Sequence, residues 1–270
     1  MTDISTYPAL TFSHEELALL LKIFNVKMIP GTGETPLAGL TEDEQALILS
    51  SAERSLQARG LMKIKGEQDI ILDPLVIGLI GPCLRPEQSI LFWRVSRENG
   101  FQSRFFHKTF SLLVEHFLPE KGLHTFAALP NNEALQERIK AFLATEDIQQ
   151  DSTVTEIVEL PRQEFDRMIT LQLGQGDIDL EDVSNAPVQD QEGEWVTNAP
   201  DNFIEMTTIL LSKTEPTSKA HGLVILKGDN GTWQVEKDNG LVRLSKISFL
   251  DIWSQIQHFF FPYDKHKHQE

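Results

Sequence analysis

The chain has 270 residues, of which 40% are hydrophobic and 24% are charged. This composition supports a hydrophobic core and argues against wholesale disorder, and the length fits one large domain or two modest ones. The formal net charge of −16 disfavours binding to nucleic-acid phosphates or anionic membranes and favours basic or polar protein partners.

The sequence gives no sign of export or membrane insertion. No apolar run approaches the ~18 residues of a membrane span, because the longest one, residues 70–80, is interrupted by Asp73, Pro74 and Gly78. The first residues lack the basic start and apolar stretch of a secretory signal. The single cysteine, Cys83, excludes an internal disulfide or a cysteine-based zinc site. We therefore expect a cytoplasmic protein.

The first third of the chain predicts helices followed by a hairpin. Two capping boxes, each a hydroxyl residue followed three positions later by Glu, predict helix starts at Ser13 and Thr41. The second helix is long and ends at Gly60, and alternating residues over 61–73 predict a β-hairpin. Helix, loop, long helix and hairpin outline a winged-helix-like unit, which we assign to residues 1–80.

The remaining sequence predicts two further parts. Residues 81–148 form an antiparallel meander, with an Asn-Gly turn at Gly100, followed by an amphipathic helix. Residues 149–270 form an acidic second half with a strand, a helix, four more strands and a last amphipathic helix. Within it, residues 174–201 predict a long mobile loop. The predicted fold class is α+β, with two antiparallel meanders each followed by a helix, an order that allows a pseudo-two-fold arrangement.

Basic and aromatic side chains interleave between residues 85 and 110. Such a pattern can bind single-stranded nucleic acid by stacking and charge. On an alternating strand, however, the aromatic residues face the core and the arginines face solvent. Exposed arginines on a sheet suit an acidic protein partner. The candidate protein-binding surface is Arg94, Arg97, Arg104 and Trp93.

Three histidines, His107, His116 and His124, fall on predicted strands of the first meander. His116 and His124 are expected to lie side by side across the intervening turn. With a nearby carboxylate such a group can hold zinc or iron. The spacing matches no short metal motif, and a structural or surface role competes with this interpretation. We predict no metal and no cofactor.

The motifs of common enzymes are missing. There is no Gly-x-Ser-x-Gly elbow, no P-loop and no Gly-x-Gly-x-x-Gly after a strand. Cys83 stands between two prolines and is interpreted as a small buried residue. The acidic run over residues 177–182 resembles a calcium loop without its complete spacing. We therefore predict that the protein is not an enzyme.

A winged helix raises a DNA-binding alternative. The second helix begins with Glu42, Asp43 and Glu44, which suit the helix dipole and repel phosphate. A winged-helix transcription regulator with a C-terminal sensing domain nevertheless remains the alternative hypothesis.

Two stretches resemble a known family. HEELALLLKIF with SAERSLQARGLM, and the run from residue 221 to residue 256 (HGLVILKG to DIWSQI), are similar to the opening and closing segments of the EspG family of ESX (type VII) secretion-associated proteins. The resemblance implies a cytosolic chaperone-like protein that binds secretion substrates through a central sheet, without catalysis. The leading hypothesis is thus a non-enzymatic protein-binding protein whose partner is another protein.

Overall fold

The computed structural model describes residues 7–32, 37–66, 69–96, 98–143, 157–173, 203–213, 220–228, 231–238 and 240–261. The predicted loop over residues 174–201 and the candidate residue Arg97 lie outside these ranges. The chain divides into two compact units. Unit 1 comprises residues 1–91, 103–135 and 212–219, and unit 2 comprises residues 92–102, 136–211 and 220–270. The three-part division made from the sequence stays a prediction.

The described residues form six helices and twelve strands. Ten strands belong to one large antiparallel sheet, and β2 and β3 form a separate two-stranded sheet, so the α+β class is confirmed. The helices are α1 (His14–Ile23), α2 (Glu42–Ala58), α3 (Pro74–Leu84), α4 (Asn132–Leu143), α5 (Arg162–Leu173) and α6 (Phe249–Phe260). The strands are β1 (Ala9–Ser13), β2 (Met62–Lys65), β3 (Asp69–Leu72), β4 (Gln88–Ser96), β5 (Gly100–Lys108), β6 (Leu113–Phe117), β7 (Leu123–Leu129), β8 (Ile157–Pro161), β9 (Phe203–Lys213), β10 (His221–Gly228), β11 (Gly231–Asp238) and β12 (Leu241–Lys246).

Unit 1 places helices on one face of its strands. The strand order is β1-β7-β6-β5-β4, and β4 and β5 also contribute residues to unit 2. Phe12, Val114 and Phe126 point from the strands into a cluster with buried side chains of α1, α2 and α3. This cluster is the hydrophobic core of unit 1, and its burial is the main favourable term in folding that unit.

Local sequence signals fix the helix ends of unit 1. Both predicted capping boxes are present: the hydroxyls of Ser13 and Thr41 accept backbone N–H groups three residues on. At the other end of α2, Gly60 has a φ of 72° and donates its N–H to the carbonyl of Gln57. Leu61 donates to the carbonyl of Leu56. These two bonds satisfy carbonyls that a helix end leaves open.

Unit 2 has the strand order β9-β10-β11-β12-β8. Helix α5 buries Phe165 and Ile169 in a cluster with strand residues that include Trp233. Helix α6 begins at the capping box of Ser248 with Asp251 and buries its apolar face. The four predicted C-terminal strands and the last helix are confirmed to within a residue or two at each end.

Two elements were not predicted from the sequence. Strand β1 pairs with β7, in a register that sets Ala9 opposite Ala127. Helix α3 lies in the apolar run for which the sequence analysis predicts no helix, with Asp73 as its N-cap and Pro74 at its start. Proline is well suited to that position because its missing N–H is not needed in the first turn. Helix α3 also crosses residue 80, where the sequence prediction ended its first part.

Candidate functional site

Arg94, on β4, is held inside unit 2. Its guanidinium donates to the side-chain oxygen of Gln102 and to the carbonyl of Phe142, the next-to-last residue of α4. It lies 4.5 Å from the centre of the Phe142 ring and 3.7 Å from a carboxylate oxygen of Glu205, and its side chain is 12% exposed. Trp93 is half-buried. Arg94 therefore binds the C-terminal end of α4, which is a favourable place for a cation.

Arg104, on β5, is held inside unit 1. It donates to Oε1 of Glu115 on β6 at 2.8 Å, and the Glu115 side chain has no exposed surface. The guanidinium lies 5.1 Å from the centre of the Phe117 ring. The structure thus gives intramolecular partners to both described arginines of the predicted surface. The predicted binding role of Arg94, Arg97, Arg104 and Trp93 stays a prediction.

The β2–β3 hairpin exposes apolar side chains. Met62 and Leu72, at its base, are paired and buried, whereas the next inward-facing pair, Ile64 and Ile70, is 41% and 46% exposed. Ile71, on the other face, is 43% exposed. The hairpin therefore extends beyond the core of unit 1.

Two lysines of β2 and the start of α3 add positive charge and further exposed apolar side chains. Lys63 and Lys65 flank Ile64 on β2 and are exposed. The chain then enters α3, an element without a charged residue, where Leu75 and Ile77 are 36% and 49% exposed. The hairpin surface is defined here as the exposed residues on both faces of the hairpin and at the start of α3: Lys63, Ile64, Lys65, Ile70, Ile71, Leu75 and Ile77. Several exposed apolar side chains on a segment that extends beyond the core are typical of a contact with another molecule.

Four histidines form a continuous row in unit 1, named here the histidine ladder. Nδ1 of half-buried His14 lies 2.6 Å from Nε2 of His124, and Nδ1 of His124 lies 3.0 Å from Nε2 of His116. The rings of His116 and His107 are stacked with centres 6.3 Å apart. Nδ1 of His107 lies 3.0 Å from the hydroxyl of Ser89. The expectation that His116 and His124 lie side by side is confirmed.

Strand register explains the ladder. Phe105 is opposite His116, and His116 is opposite Phe126, so these side chains share one face of the sheet. The His116 ring stacks on Phe126 with centres 4.3 Å apart. His14, at the first position of α1, donates its backbone N–H to the carbonyl of Gly122 and so brings its ring to His124.

Burial keeps the inner histidines neutral. Burial lowers the pKa of His107 to about 3. Burial, with a smaller effect of His14, lowers the pKa of His124 to about 4. Burial first, then the charges of His107 and His124, hold the pKa of His116 well below its usual value. Removing an imidazolium from water without an anionic partner is unfavourable, which accounts for all three directions.

The ladder does not have the geometry of a metal site. Within the described ranges, no group of three or more His, Cys, Asp or Glu side chains could hold a metal ion. Nδ1 of His14, both nitrogens of His124 and Nε2 of His116 bond to one another, and Nδ1 of His107 bonds to Ser89. Cys83 is buried in α3, where burial raises the pKa of its thiol well above the usual value. This thiol is not an activated nucleophile.

Comparison with known proteins adds a family and a fold. A family model described as "Uncharacterised protein YfjC" matches residues 34–248. The chain belongs to this family. A search of curated proteins gave no match to this YfjC-family chain. Among solved structures, it resembles the type VII secretion system chaperone EspG5 of Mycobacterium tuberculosis, solved in complex with a PE25-PPE41 dimer. The TM-score is 0.54 at 8% identity, over 95% of this chain and 98% of that chain.

At 8% identity the likeness to EspG5 concerns the fold alone. None of the described helices of the YfjC-family chain is long and apolar enough to cross a membrane. The hairpin surface was missed in the sequence because alternation predicts which residues share a face and not where the core ends. His14 was missed as a ladder member because it is 110 residues from His124.

Proposed function

We propose that this YfjC-family protein is a non-enzymatic, chaperone-like protein that binds another protein in the cytoplasm. The observation that carries the proposal is the backbone likeness to EspG5, a chaperone solved with its bound PE25-PPE41 dimer, over nearly the whole of both chains. The sequence resemblance to the EspG family supports the same role. The fold by itself does not determine function, so the proposal needs a surface and a test.

The hairpin surface is the proposed binding surface. Its apolar side chains supply the desolvation that drives protein association. Lys63 and Lys65 are exposed on the same hairpin face as Ile71, although the chain as a whole carries a net charge of −16 and Lys65 lies opposite Asp69. The proposed occupant is therefore an apolar segment of another protein that is flanked by carboxylates, because opposite charges around an apolar contact set its orientation.

The test compares photo-crosslinking at two exposed apolar positions. A photoreactive amino acid replaces Ile70 on the hairpin surface or Leu250, which is 69% exposed on α6. In cells of the source organism, a discrete protein adduct is expected at position 70 and not at position 250. The adduct is expected to weaken when Lys63 and Lys65 are both changed to Glu, since the charge complementarity is then reversed.

Binding measurements with the recovered partner complete the test. Ile70→Asp is expected to weaken binding at least 30-fold, the loss of about 2 kcal/mol that marks an important contact residue. Leu250→Asp is the matched control and is expected to bind normally. Equal adducts at both positions, or unchanged binding by Ile70→Asp with native circular dichroism, would refute the proposed surface. Arg97→Glu tests the surface predicted from the sequence in the same assay.

The winged-helix regulator remains a proposal with a separate test. Helix α2 begins with Glu42, Asp43 and Glu44, all exposed, and this acidic turn disfavours contact with phosphate. Electrophoretic mobility on mixed duplex DNA at low salt separates the two functions. Retention of the DNA with a steep dependence on salt concentration would overturn the protein-binding proposal in favour of the regulator.

A further inference from the structure

The histidine ladder joins the start of α1 to three strands of unit 1. It runs from half-buried His14 through His124 to His116 and His107, and the last three are at most 1% exposed. We propose that the ladder is an acid-sensitive latch: protons taken up by its imidazoles separate His14 from His124 and release β1 and α1 from β7. The proposal does not depend on the identity of any partner.

The contacts within the ladder restrict how many protons it can hold. A neutral imidazole has one N–H and one bare nitrogen, and each contact between two rings needs one of each. The contacts at 2.6 Å and 3.0 Å both involve His124, so its two nitrogens are occupied by His14 and His116. If two neighbouring rings are both protonated, two N–H groups face each other at hydrogen-bond distance. The row cannot remain closed in that state.

The inner end of the ladder offers no acceptor for an added proton. Nδ1 of His116 and Nε2 of His107 are buried and have no hydrogen-bond partner among the described residues. A proton on either nitrogen would be a buried donor without an acceptor, which is unfavourable, and more so on a charged ring. The neutral row therefore fits the closed form, and each proton added to His107 or His116 opposes it.

Charged neighbours do not compensate an imidazolium. The titratable groups of the surrounding elements include Glu15, Glu16 and Lys22 of α1, Arg59 at the end of α2, Cys83 of α3, Arg104 and Lys108 of β5, Glu115 of β6, and Glu120 and Lys121 of the turn before β7. Helix α2 also carries Glu42, Asp43, Glu44, Glu53 and Arg54. The buried carboxylates already have partners: Glu16 accepts from Ser13, Ser55 and Arg59, and Glu115 accepts from Arg104. Exposed Glu15 accepts from Ser13.

Opening is expected to start at β1. This strand pairs with β7 as the last strand of its sheet and is followed directly by His14. Release of β1 and α1 would expose Phe12, Leu17 and Leu20, which are 0–2% exposed in the closed form. Acid would thus convert buried core into accessible apolar surface.

The steepness of opening with pH identifies the ladder. The pKa directions of His107, His116 and His124 are all downward. A histidine whose pKa is lower in the folded than in the unfolded state contributes its full stability at pH values above the unfolded pKa. That contribution is lost as the pH falls towards the folded pKa. Opening that admits water to His107 and His116 as well as His124 takes up nearly three protons and raises the opening constant roughly 500-fold between pH 5.5 and pH 4.5.

Hydrogen exchange on the full chain measures this constant. The protein is equilibrated between pH 7.5 and pH 4.5, and exchange rates are corrected for their intrinsic pH dependence. Peptides over residues 9–23 and 113–129 are expected to lose protection steeply below pH 6, before the peptides over residues 221–238 of unit 2. Simultaneous loss in both units would overturn the latch in favour of general acid unfolding.

A histidine variant separates the ladder from other titrating groups. In His124→Gln the amide can still donate to His14 and accept from His116, but it does not titrate. The factor by which the opening constant rises for each pH unit of acidification should therefore be about tenfold smaller than in the wild type. His221→Gln, at an exposed histidine of β10, is the matched control and should behave as wild type. The same slope in both variants would refute the proposal.

A measurement on the unmodified protein covers the case in which His124→Gln fails to fold. In nuclear magnetic resonance spectra, the ring signals of His107, His116 and His124 should stay in the neutral position and then change together at the opening transition. Independent titration of the three rings near pH 6.5 would overturn the latch.

Discussion

Replacement of Arg59 by alanine should destabilise unit 1 by about 2–3 kcal/mol, because Arg59 is the cationic partner of a buried carboxylate. Nη1 of Arg59 donates to Oε2 of Glu16 at 2.7 Å, and the Glu16 side chain is 5% exposed. Nη2 donates to the carbonyl of Thr11 on β1 at 2.7 Å. Arg59 therefore ties the end of α2 to both α1 and β1.

The magnitude follows from what remains after the substitution. Breaking a buried ion pair by removing one partner costs about 3–5 kcal/mol, and this figure is reduced here because the Arg59 side chain is 38% exposed. Glu16 keeps the backbone N–H of Ser13 and the hydroxyl of Ser55 as donors. These two bonds limit the loss further. The carbonyl of Thr11 loses a donor, which adds about 1 kcal/mol.

Urea unfolding followed by circular dichroism measures the loss, with Arg243→Ala as the matched control. Arg243 lies 2.7 Å from a carboxylate oxygen of Glu159, the same distance as in the Arg59 pair, but its side chain is 53% exposed and that of Glu159 is 48% exposed. An exposed pair contributes about 0–1 kcal/mol. Equal losses in the two variants would refute the reasoning that burial of the carboxylate decides the energy.

Three further outcomes follow from the described contacts. Gly31→Ala should destabilise unit 1 by about 2–4 kcal/mol in thermal unfolding, because Gly31 has a φ of +92° and a Cβ there would lie 2.7 Å from Cε1 of Phe105. Gly39→Ala is the control: Gly39 has a φ of +78° but open space around the added Cβ, so this change should cost about 1 kcal/mol. Thr41→Ala should cost about 1 kcal/mol in urea unfolding, since it removes the cap of α2. A loss below about 0.3 kcal/mol would contradict this account, because cap removal costs about 0.5–2 kcal/mol. Cys83 should react with a thiol reagent at pH 8 only after denaturation, because burial raises the pKa of its thiol; fast reaction in the native protein would show that α3 is not packed as described.

Much of the local structure was predicted correctly because its causes lie within a few residues. The capping boxes at Ser13 and Thr41 are confirmed, as is the helix end at Gly60. The turn predicted at Gly100 has its glycine at a positive φ of 61°. Helix α3 was the local failure, since glycine and proline within its apolar sequence obscured the N-cap signal of Asp73.

The candidate sites were predicted less well because their causes lie between distant residues. The sequence identified Arg94 and Arg104 but not their partners, and the structure brings Arg94 to Phe142 and Arg104 to Glu115. It identified three histidines of the ladder and could not connect them to His14. Period-two alternation predicts the face of a strand on which a side chain lies, whereas contacts across strands depend on register.

The sequence by itself determined the helix starts at Ser13 and Thr41, the turns, and the order of the elements other than β1 and α3, because short-range hydrogen bonds and hydrophobic periodicity act within one segment. Only the tertiary structure decided that β1 pairs with β7 and that β8 pairs with β12. It also decided that the hairpin surface extends beyond the core and that four histidines meet in unit 1. These features depend on contacts between distant segments. The sequence of one segment indicates which of its faces is apolar, but it does not identify the segment that will pack against it or pair with it.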